Sequence, residues 1–273
     1  MRKIIGKRVG TCLLVFSMLF TGSGMTAMAK TTLKRGTDVE TKTGSIVLDG
    51  NDIKADNVNG LTYKGFGMLS GNSTSDLLLD YKTQNPVKYA ELMQYLFGGE
   101  YPIFTHVKLE MGNDRNNSTG PESATMRTKG ESANVMRNPG WQIAADAKKI
   151  NPKVKVSILS WNTPTWVTTT EEKYYWYKQS ILAAYEKYGF MVDYINPNVN
   201  EKWNLRTDVA NTKSFASWIA AEDASTIPDA EALKLYHKIK LIVSDEANVV
   251  SDSVTRKLKA DADFMNAVDV VGY

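Results

Sequence analysis

Short apolar runs recur along the chain, and the segments between them show a different, helical spacing of apolar residues. Short runs that are apolar throughout or alternate apolar with polar residues are typical of buried strands. Six such runs predict strands at residues 61–69, 104–111, 154–159, 192–195, 240–243 and 268–271.

Helix-like segments separate these predicted strands. Pro86 fits the first position of a helix that Gly98 ends, because proline lacks the N–H group that the first turn leaves unused. Asn138 fits the cap of a second helix, with Pro139 as its first residue. Helical spacing also predicts elements at residues 171–188 and 251–265, and one without clear boundaries within 205–228.

Alternation of strands and helices predicts the fold class. Successive strands joined by helices form parallel sheets, and six units within one domain favour a barrel over an open sheet. A (β/α)₈ barrel needs eight strands, whereas this chain supplies six. We therefore predict an α/β fold, an incomplete TIM barrel of about six βα units over residues 46–273, and expect either a fragment or a fold smaller than a barrel.

The first 29 residues have the pattern of a secretory signal peptide. Basic residues precede an apolar run at 9–20, and Ala27 and Ala29 give a small-x-small cleavage site. A transmembrane helix is the alternative, but the run falls short of the ~20 residues that a span needs. We predict a signal peptide at 1–29, a flexible lead-in at 30–45, and a secreted, extracellular or cell-surface protein without an integral membrane segment after signal removal.

Composition excludes several partners once the signal peptide is set aside. Residues 1–29 contain four of the 33 Lys and Arg and none of the 30 Asp and Glu, which leaves 29 basic and 30 acidic side chains and a net charge of −1. Such a balance does not favour nucleic acid. The one cysteine, Cys12, lies in the signal peptide, so a disulfide or thiol nucleophile is not expected. His106 and His237 have no partner at ligand spacing, and no metal site is predicted.

An Asn-Glu pair, Asn200 and Glu201, follows the fourth predicted strand and a predicted turn at Pro197 and Asn198. Barrel strands present catalytic side chains at their carboxyl ends. Glycoside hydrolysis uses two carboxylates, one of which acts as the acid. Glu201 is the candidate acid and Asn200 a candidate contact to a sugar hydroxyl, while an exposed loop glutamate would show the same pattern.

Two tryptophans, Trp161 and Trp166, follow the third predicted strand and would lie at the same rim. An indole ring can stack on the apolar face of a sugar, although packing in the hydrophobic core is the common role of tryptophan. The sequence pattern alone leaves both roles open.

Ordered motifs extend along nearly all of the chain after residue 46. They are GFGMLSG at 65–71, TSDLLLDY at 74–81, VKLEMG at 107–112, SWNTPTW at 160–166, DYI at 193–195 with NE at 200–201, SD at 244–245 and VDVVG at 268–272. Together they resemble the galactocerebrosidase (galactosylceramidase) family, retaining glycosidases built on the (β/α)₈ barrel.

The resemblance implies roles for individual residues. It assigns the acid/base to Glu201 and places the nucleophilic glutamate at the end of a seventh strand, beyond Tyr273. Neither Asp245 nor Glu110 corresponds to that nucleophile, no cofactor is implied, and residues 197–198 are an insertion relative to the family pattern. The residues assigned to the substrate are Asn200, Trp161 and Ser118, the last in place of a family threonine.

The expected function follows from this resemblance. We expect a secreted retaining β-galactosidase resembling galactosylceramidase, acting on a terminal β-galactoside of a glycolipid or glycan by double displacement. We expect the chain as given, without the nucleophile, to be inactive alone. The alternatives are a related glycosidase acting on xylan, glucan or galactan, and an inactive carbohydrate-binding protein.

Overall fold

The computed structural model describes residues 26–28, 45–47, 63–115, 120–245 and 251–272. The chain divides into two compact units, residues 1–63 and 64–273. In the first unit, β1 (Thr26–Met28) pairs antiparallel with β2 (Ser45–Val47). The predicted signal peptide and lead-in lie mainly outside the described residues, and the domain boundaries at 29 and 45 stay predictions.

The second unit is built on six parallel strands that follow one another in chain order across the sheet. Each predicted strand is present. The strands are β3 (Phe66–Ser70), β4 (Phe104–Glu110), β5 (Lys155–Ser160), β6 (Tyr194–Val199), β7 (Lys240–Ser244) and β8 (Val270–Gly272).

Helices connect the strands, and their ends follow the chemistry of the capping residues. The Asn138 side chain accepts a hydrogen bond from the N–H of Gly140, as the predicted cap requires. Gly189 ends the longest described helix with φ 76°, a conformation that glycine adopts without strain. The helices are α1 (Asp76–Gln84), α2 (Pro86–Phe97), α3 (Pro139–Ile150), α4 (Thr170–Tyr188), α5 (Leu205–Ala221), α6 (Ala230–Tyr236), α7 (Ser251–Ala260) and α8 (Ala262–Ala267), with a 3₁₀ helix at Val135–Arg137.

Helix α1 is absent from the predicted elements for a physical reason. It contains no buried residue, and its Leu77 is 76% exposed. Only partly buried residues, among them Leu78 and Leu79, pack against the core, so the periodic apolar signal by which helices are recognised in sequence is weak. None of the described helices is long and apolar enough to cross a membrane.

The two faces of the sheet differ in chemistry. Val107 and Leu109 of β4 are fully buried and belong to the main apolar cluster, which also contains Trp141 of α3 and Trp176 of α4. Because side chains alternate along a strand, the intervening positions of β4 point to the opposite, concave face. These positions are occupied by the polar residues His106, Lys108 and Glu110.

The predicted turn at 197–198 is wrong, because both residues lie within β6. In the pairing of β5 with β6, Ile158 faces Ile195 and Ser160 faces Val199. The longer spacing in β6 shows that it contains two more residues than β5 between the same two pairs. A bulge of this kind accommodates proline, which cannot donate to a sheet ladder. The two extra residues of β6 are thus accommodated inside the strand.

Side-chain hydrogen bonds fix the bulge. Asn196 Nδ2 donates to the carbonyl of Ser244 at 3.0 Å, and Asn196 Oδ1 accepts from the N–H of Asn198 at 3.0 Å. Asn198 Nδ2 in turn lies 3.2 Å from the hydroxyl of Thr212. An insertion of two residues equals one period of a strand, so it leaves the following side chains on their original faces.

Strained backbone is concentrated at one edge of the sheet. Each non-glycine residue with positive φ in the described part lies at or just after the carboxyl end of β3, β4, β6 or β7. Such conformations cost about 1–3 kcal/mol each and occur mainly at functional sites. These residues are Asn72, Ser73, Asp114, Glu201, Ser244 and Asp245.

Candidate active site

The carboxyl ends of β5, β6 and β7 bring the main candidate residues together. Trp161 directly follows β5, Asn200 and Glu201 follow β6, and Asp245 follows β7. These strands are neighbours in the sheet, so their carboxyl ends meet at one rim. Ser118 lies outside the described residues.

Trp161 and Glu201 are in direct contact. The indole Nε1 of Trp161 donates to Oε2 of Glu201 at 3.1 Å. Glu201 is exposed and has φ 60°, a left-handed backbone conformation that residues other than glycine rarely adopt. The contact engages Oε2. Because the side chain is exposed, an incoming ligand can reach the other oxygen, Oε1.

Asn200 is buried beside this pair, with 4% exposure. The donors and acceptors around its amide assign the orientation in which Nδ2 donates to Asp245 Oδ2 at 2.9 Å and to the Asp245 carbonyl at 3.0 Å, while Oδ1 accepts from Trp161 Nε1 at 3.2 Å. The indole N–H of Trp161 is therefore shared between Asn200 and Glu201. Three of the four residues that the family resemblance assigns to the acid and the substrate, Glu201, Asn200 and Trp161, form one connected group.

Asp245 is held from the concave face of the sheet. Lys108 Nζ donates to Asp245 Oδ2 in an ion pair whose side chains are 29% and 17% exposed. Lys108 belongs to β4, so the pair connects β4 with the end of β7 past the two strands between them. The backbone N–H of Glu201 also donates to the carbonyl of Asp245, at 3.3 Å.

A second carboxylate group lies next to Trp161 on the side of β3. Glu110 is 1% exposed, and its Oε2 accepts from the N–H of Asn72 at 2.7 Å. A methyl group placed on Gly71 would lie 3.0 Å from the Trp161 ring and 3.1 Å from Glu110 Oε2. Gly71 thus permits a close approach between the loop after β3 and the indole ring.

Glu122 completes this side of the rim from the loop that follows β4. It is fully buried, and its Oε2 accepts from the N–H of Ser73 at 2.7 Å. Burial raises the pKa of Glu122 to about 7, and the charge of Glu110 adds to the rise. The two glutamates therefore hold consecutive N–H groups of one strained loop.

Trp166 and His106 take structural roles. Trp166 Nε1 donates to the carbonyl of Met126 at 3.1 Å, and its ring packs edge-on against Tyr175. His106 Nε2 lies 2.8 Å from the hydroxyl of Ser157, and burial lowers the pKa of His106. Within the described ranges no group of three or more His, Cys, Asp or Glu side chains could hold a metal ion.

Sequence reasoning missed the contributions of Lys108, Asp245 and Glu122. Lys108 carried a usable signal, since a lysine at an alternating position of a buried strand must find a partner on the concave face. The family pattern gives no role to Asp245, and its contact with Asn200 becomes visible only when the ends of β6 and β7 are brought together. Glu122 lies in a loop without periodicity, so its burial could not be read from the pattern.

Comparison with known proteins gives a family. The model described as Glycosyl hydrolase family 59 matches residues 63–273. Galactocerebrosidase of Mus musculus is 27% identical over 240 residues, which cover 84% of this chain and 31% of the relative. The Homo sapiens galactocerebrosidase is 26% identical with the same two coverages, and that of Danio rerio is 30% identical over 146 residues, 50% of this chain and 22% of the relative. The chain spans about a third or less of these relatives.

Solved structures share the fold. An endo-beta1,6-glucanase superposes with a TM-score of 0.56 at 17% identity, covering 76% of this chain and 50% of that one. SrfJ from Salmonella typhimurium gives a TM-score of 0.56 at 14% identity, with coverages of 76% and 49%. The six parallel strands of this chain follow one another in chain order. Together with the similarity to these structures, this order confirms the predicted fold class, an incomplete (β/α)₈ barrel.

The match of the family extends over the whole parallel sheet and its rim, which includes Trp161, Asn200 and Glu201. The motifs that suggested the resemblance are distributed over β3 to β8, and several of them lie at the carboxyl ends of these strands or in the loops that follow. The predicted resemblance is confirmed. This chain belongs to glycosyl hydrolase family 59.

Proposed function

We propose that the complete protein is a retaining β-galactosidase of the galactosylceramidase type, with Glu201 as its acid/base. The observation that carries the proposal is the contact of Trp161 Nε1 with Glu201 Oε2, beside Asn200, at the joined carboxyl ends of β5 and β6. A carboxyl group in that place is oriented by the protein while one oxygen remains open to a ligand.

The proposed reaction has two steps. In the first, Glu201 gives its proton to the glycosidic oxygen as the bond to the leaving group breaks, and a second carboxylate bonds to the anomeric carbon. In the second, the ionised Glu201 takes a proton from water, the water oxygen bonds to the anomeric carbon, and the bond to the nucleophile breaks. Each step conserves charge without a cofactor.

The second carboxylate is not among the rim residues described above. Retaining hydrolysis needs two carboxyl groups ~5–5.5 Å apart across the sugar. Asp245 is already engaged by Lys108 and Asn200, while Glu110 and Glu122 are buried and accept backbone N–H groups. We assign the nucleophile to a glutamate beyond Tyr273, as the family resemblance implies.

The proposed substrate is a terminal β-galactoside carried by a glycolipid or a glycan. The names of the curated relatives support it, since each of those quoted above is a galactocerebrosidase. In this proposal Trp161 and Asn200 contact the sugar, and Ser118 gives a further hydroxyl contact.

The test is the change Glu201→Gln in the complete polypeptide that the gene encodes. An alkyl β-galactoside needs protonation of its leaving group, so we expect its turnover to fall by about 10²–10⁴-fold. The dinitrophenolate group of a dinitrophenyl β-galactoside leaves without that proton, so the rate of the glycosylation step should fall much less for this substrate. Glu100→Gln is the matched control. Glu100 is exposed and precedes β4, so it lies on the side of the amino-terminal strand ends, opposite the rim.

The same assay separates the rival functions. An equal fall in the turnover of both galactosides, or unchanged turnover of the alkyl galactoside, would contradict the role of Glu201. Faster hydrolysis of aryl β-xylosides or β-glucosides than of β-galactosides would favour a related glycosidase with another sugar specificity. Saturable galactoside binding without hydrolysis would indicate a carbohydrate-binding protein.

We also propose that the protein is secreted after cleavage behind Ala29. The proposal is supported by the basic residues, the apolar run and the small-x-small site within residues 1–29. Sequencing the N-terminus of the protein from the culture medium is the test. A protein retained in cells with Met1 intact would contradict it.

A further inference from the structure

We propose that Asp245, held by Lys108, is a positioning residue that sets the orientation of the Asn200 amide for contact with the sugar. The inference rests on the proposed function, because it concerns how the same site receives its galactoside. Asp245 itself touches neither substrate nor reacting atoms in this arrangement. It acts through Asn200, and through Trp161 on Glu201.

The hydrogen-bond inventory of Asn200 carries the argument. A side-chain amide has two N–H hydrogens and one carbonyl oxygen with two acceptor sites. Both hydrogens of Asn200 are directed to Asp245, one to Oδ2 at 2.9 Å and one to the backbone carbonyl at 3.0 Å. Its Oδ1 accepts from Trp161 at 3.2 Å, which leaves one acceptor site. A sugar hydroxyl that meets Asn200 must therefore donate its hydrogen.

Lys108 holds the carboxylate of Asp245, which orients the amide of Asn200. Its Nζ contacts Asp245 Oδ2, the same oxygen that accepts from Asn200, and both charged side chains are largely shielded from solvent. An ion pair in such surroundings is directional, and removal of one partner leaves a poorly compensated charge. Lys108 thus determines which way Asp245 points, and Asp245 determines which way the amide of Asn200 points.

The backbone around Asp245 is held in a strained form. Asp245 has φ 87° and Ser244 has φ 72°, and the Ser244 carbonyl accepts from Asn196 in the bulge of β6. A methyl group on Gly272 would approach Asp245 Cβ to 2.9 Å, so the end of β8 packs tightly against the same residue. Strained backbone that several contacts hold in place is typical of functional sites.

The test uses Asp245→Ala and Asp245→Asn in the complete polypeptide, assayed with an alkyl β-galactoside. Asp245→Ala removes the acceptor that orients Asn200, so kcat should fall by about 10- to 100-fold while KM changes less than about threefold. Asp245→Asn keeps an acceptor oxygen for the amide of Asn200 and should recover part of the lost kcat. Lys108→Met should lower kcat in the same direction as Asp245→Ala.

A double variant distinguishes positioning from general damage. In an Asn200→Ala background, Asp245→Ala should cost less than about threefold further, because the amide it orients is gone. The matched control is Asp193→Ala. Asp193 pairs with Lys155 at 2.6 Å and directly precedes β6, so it lies at the amino-terminal strand ends, opposite the rim. This control should lower the melting temperature and leave kcat unchanged.

Each outcome bears on one proposal. A full additional loss from Asp245→Ala in the Asn200→Ala background, or an unchanged kcat in Asp245→Ala, would overturn the positioning role while β-galactosidase activity of the parent protein still stands. A parent protein that hydrolyses no β-galactoside would instead overturn the proposed function. The two failures are therefore told apart by the parent protein alone.

Discussion

The indole N–H of Trp161 lies 3.1 Å from Oε2 of Glu201, so the residue assigned to the sugar also orients the residue assigned to the acid. A tryptophan that only stacked on a sugar would not need this donor. Because the donor meets a carboxyl group at an exposed rim, it selects one rotamer of Glu201 out of several that solvent would allow.

Trp161→Phe tests this relationship, since it keeps an aromatic face and removes the N–H group. We expect kcat for an alkyl β-galactoside to fall by about 10- to 100-fold, the effect of losing one hydrogen bond to a charged group. KM should change little if ring stacking is preserved. Steady-state kinetics on the complete polypeptide gives both constants.

The control for this variant is Trp166→Phe. Trp166 donates to the backbone carbonyl of Met126 rather than to a carboxylate. Its replacement should lower the free energy of unfolding by about 1 kcal/mol and leave kcat unchanged. Equal losses of kcat in the two variants would contradict a specific role for the N–H of Trp161.

Asn196 connects the bulge of β6 to the end of β7, and its removal should weaken the rim. Asn196→Ala breaks the buried bond to the Ser244 carbonyl and frees the N–H of Asn198. Two lost buried bonds should lower the free energy of unfolding by about 2–3 kcal/mol. Chemical denaturation measures this change, and Asn266→Ala on an exposed face of α8 is the control. A loss no larger than that of the control would mean that the bulge is held by other contacts.

The strand order and the partial barrel could be predicted from sequence because burial leaves a periodic pattern. Strand β5 and helix α3 show this well, since nearly all their apolar positions are buried. The bulge at 197–198 could not be predicted, because proline and asparagine favour turns in the absence of partners. Hydrogen bonds of the Asn196 and Asn198 side chains hold those residues within the strand.

The candidate site was predictable only in part, for a related reason. Glu201, Asn200 and Trp161 are marked by their positions after strands, and the structure brings them into contact. The pair of Lys108 with Asp245 is a contact between residues 137 positions apart. Spacing along the chain carries no information about such a distant pair.

Glu122 makes the stability of the protein depend on pH. Its pKa of about 7 in the folded state lies above the ordinary value of 4.5, so ionisation of this buried group opposes folding. The stability linked to the neutral form is fully present below about pH 4.5 and is lost as the pH rises through 7. From pH 5 to pH 8.5 the loss should be about 2–3 kcal/mol.

Glu122→Gln tests this dependence, because the amide is neutral at every pH and has nearly the same shape. We expect the variant to match the parent protein at pH 5 and to exceed its free energy of unfolding by about 2 kcal/mol at pH 8.5, as measured by urea denaturation at both pH values. Glu131→Gln is the contrasting control, since the hydrogen bond from Arg137 lowers the pKa of Glu131 and its stabilisation is lost only as the pH falls. If Glu122→Gln kept the pH dependence of the parent protein, the buried carboxyl group would not be its source.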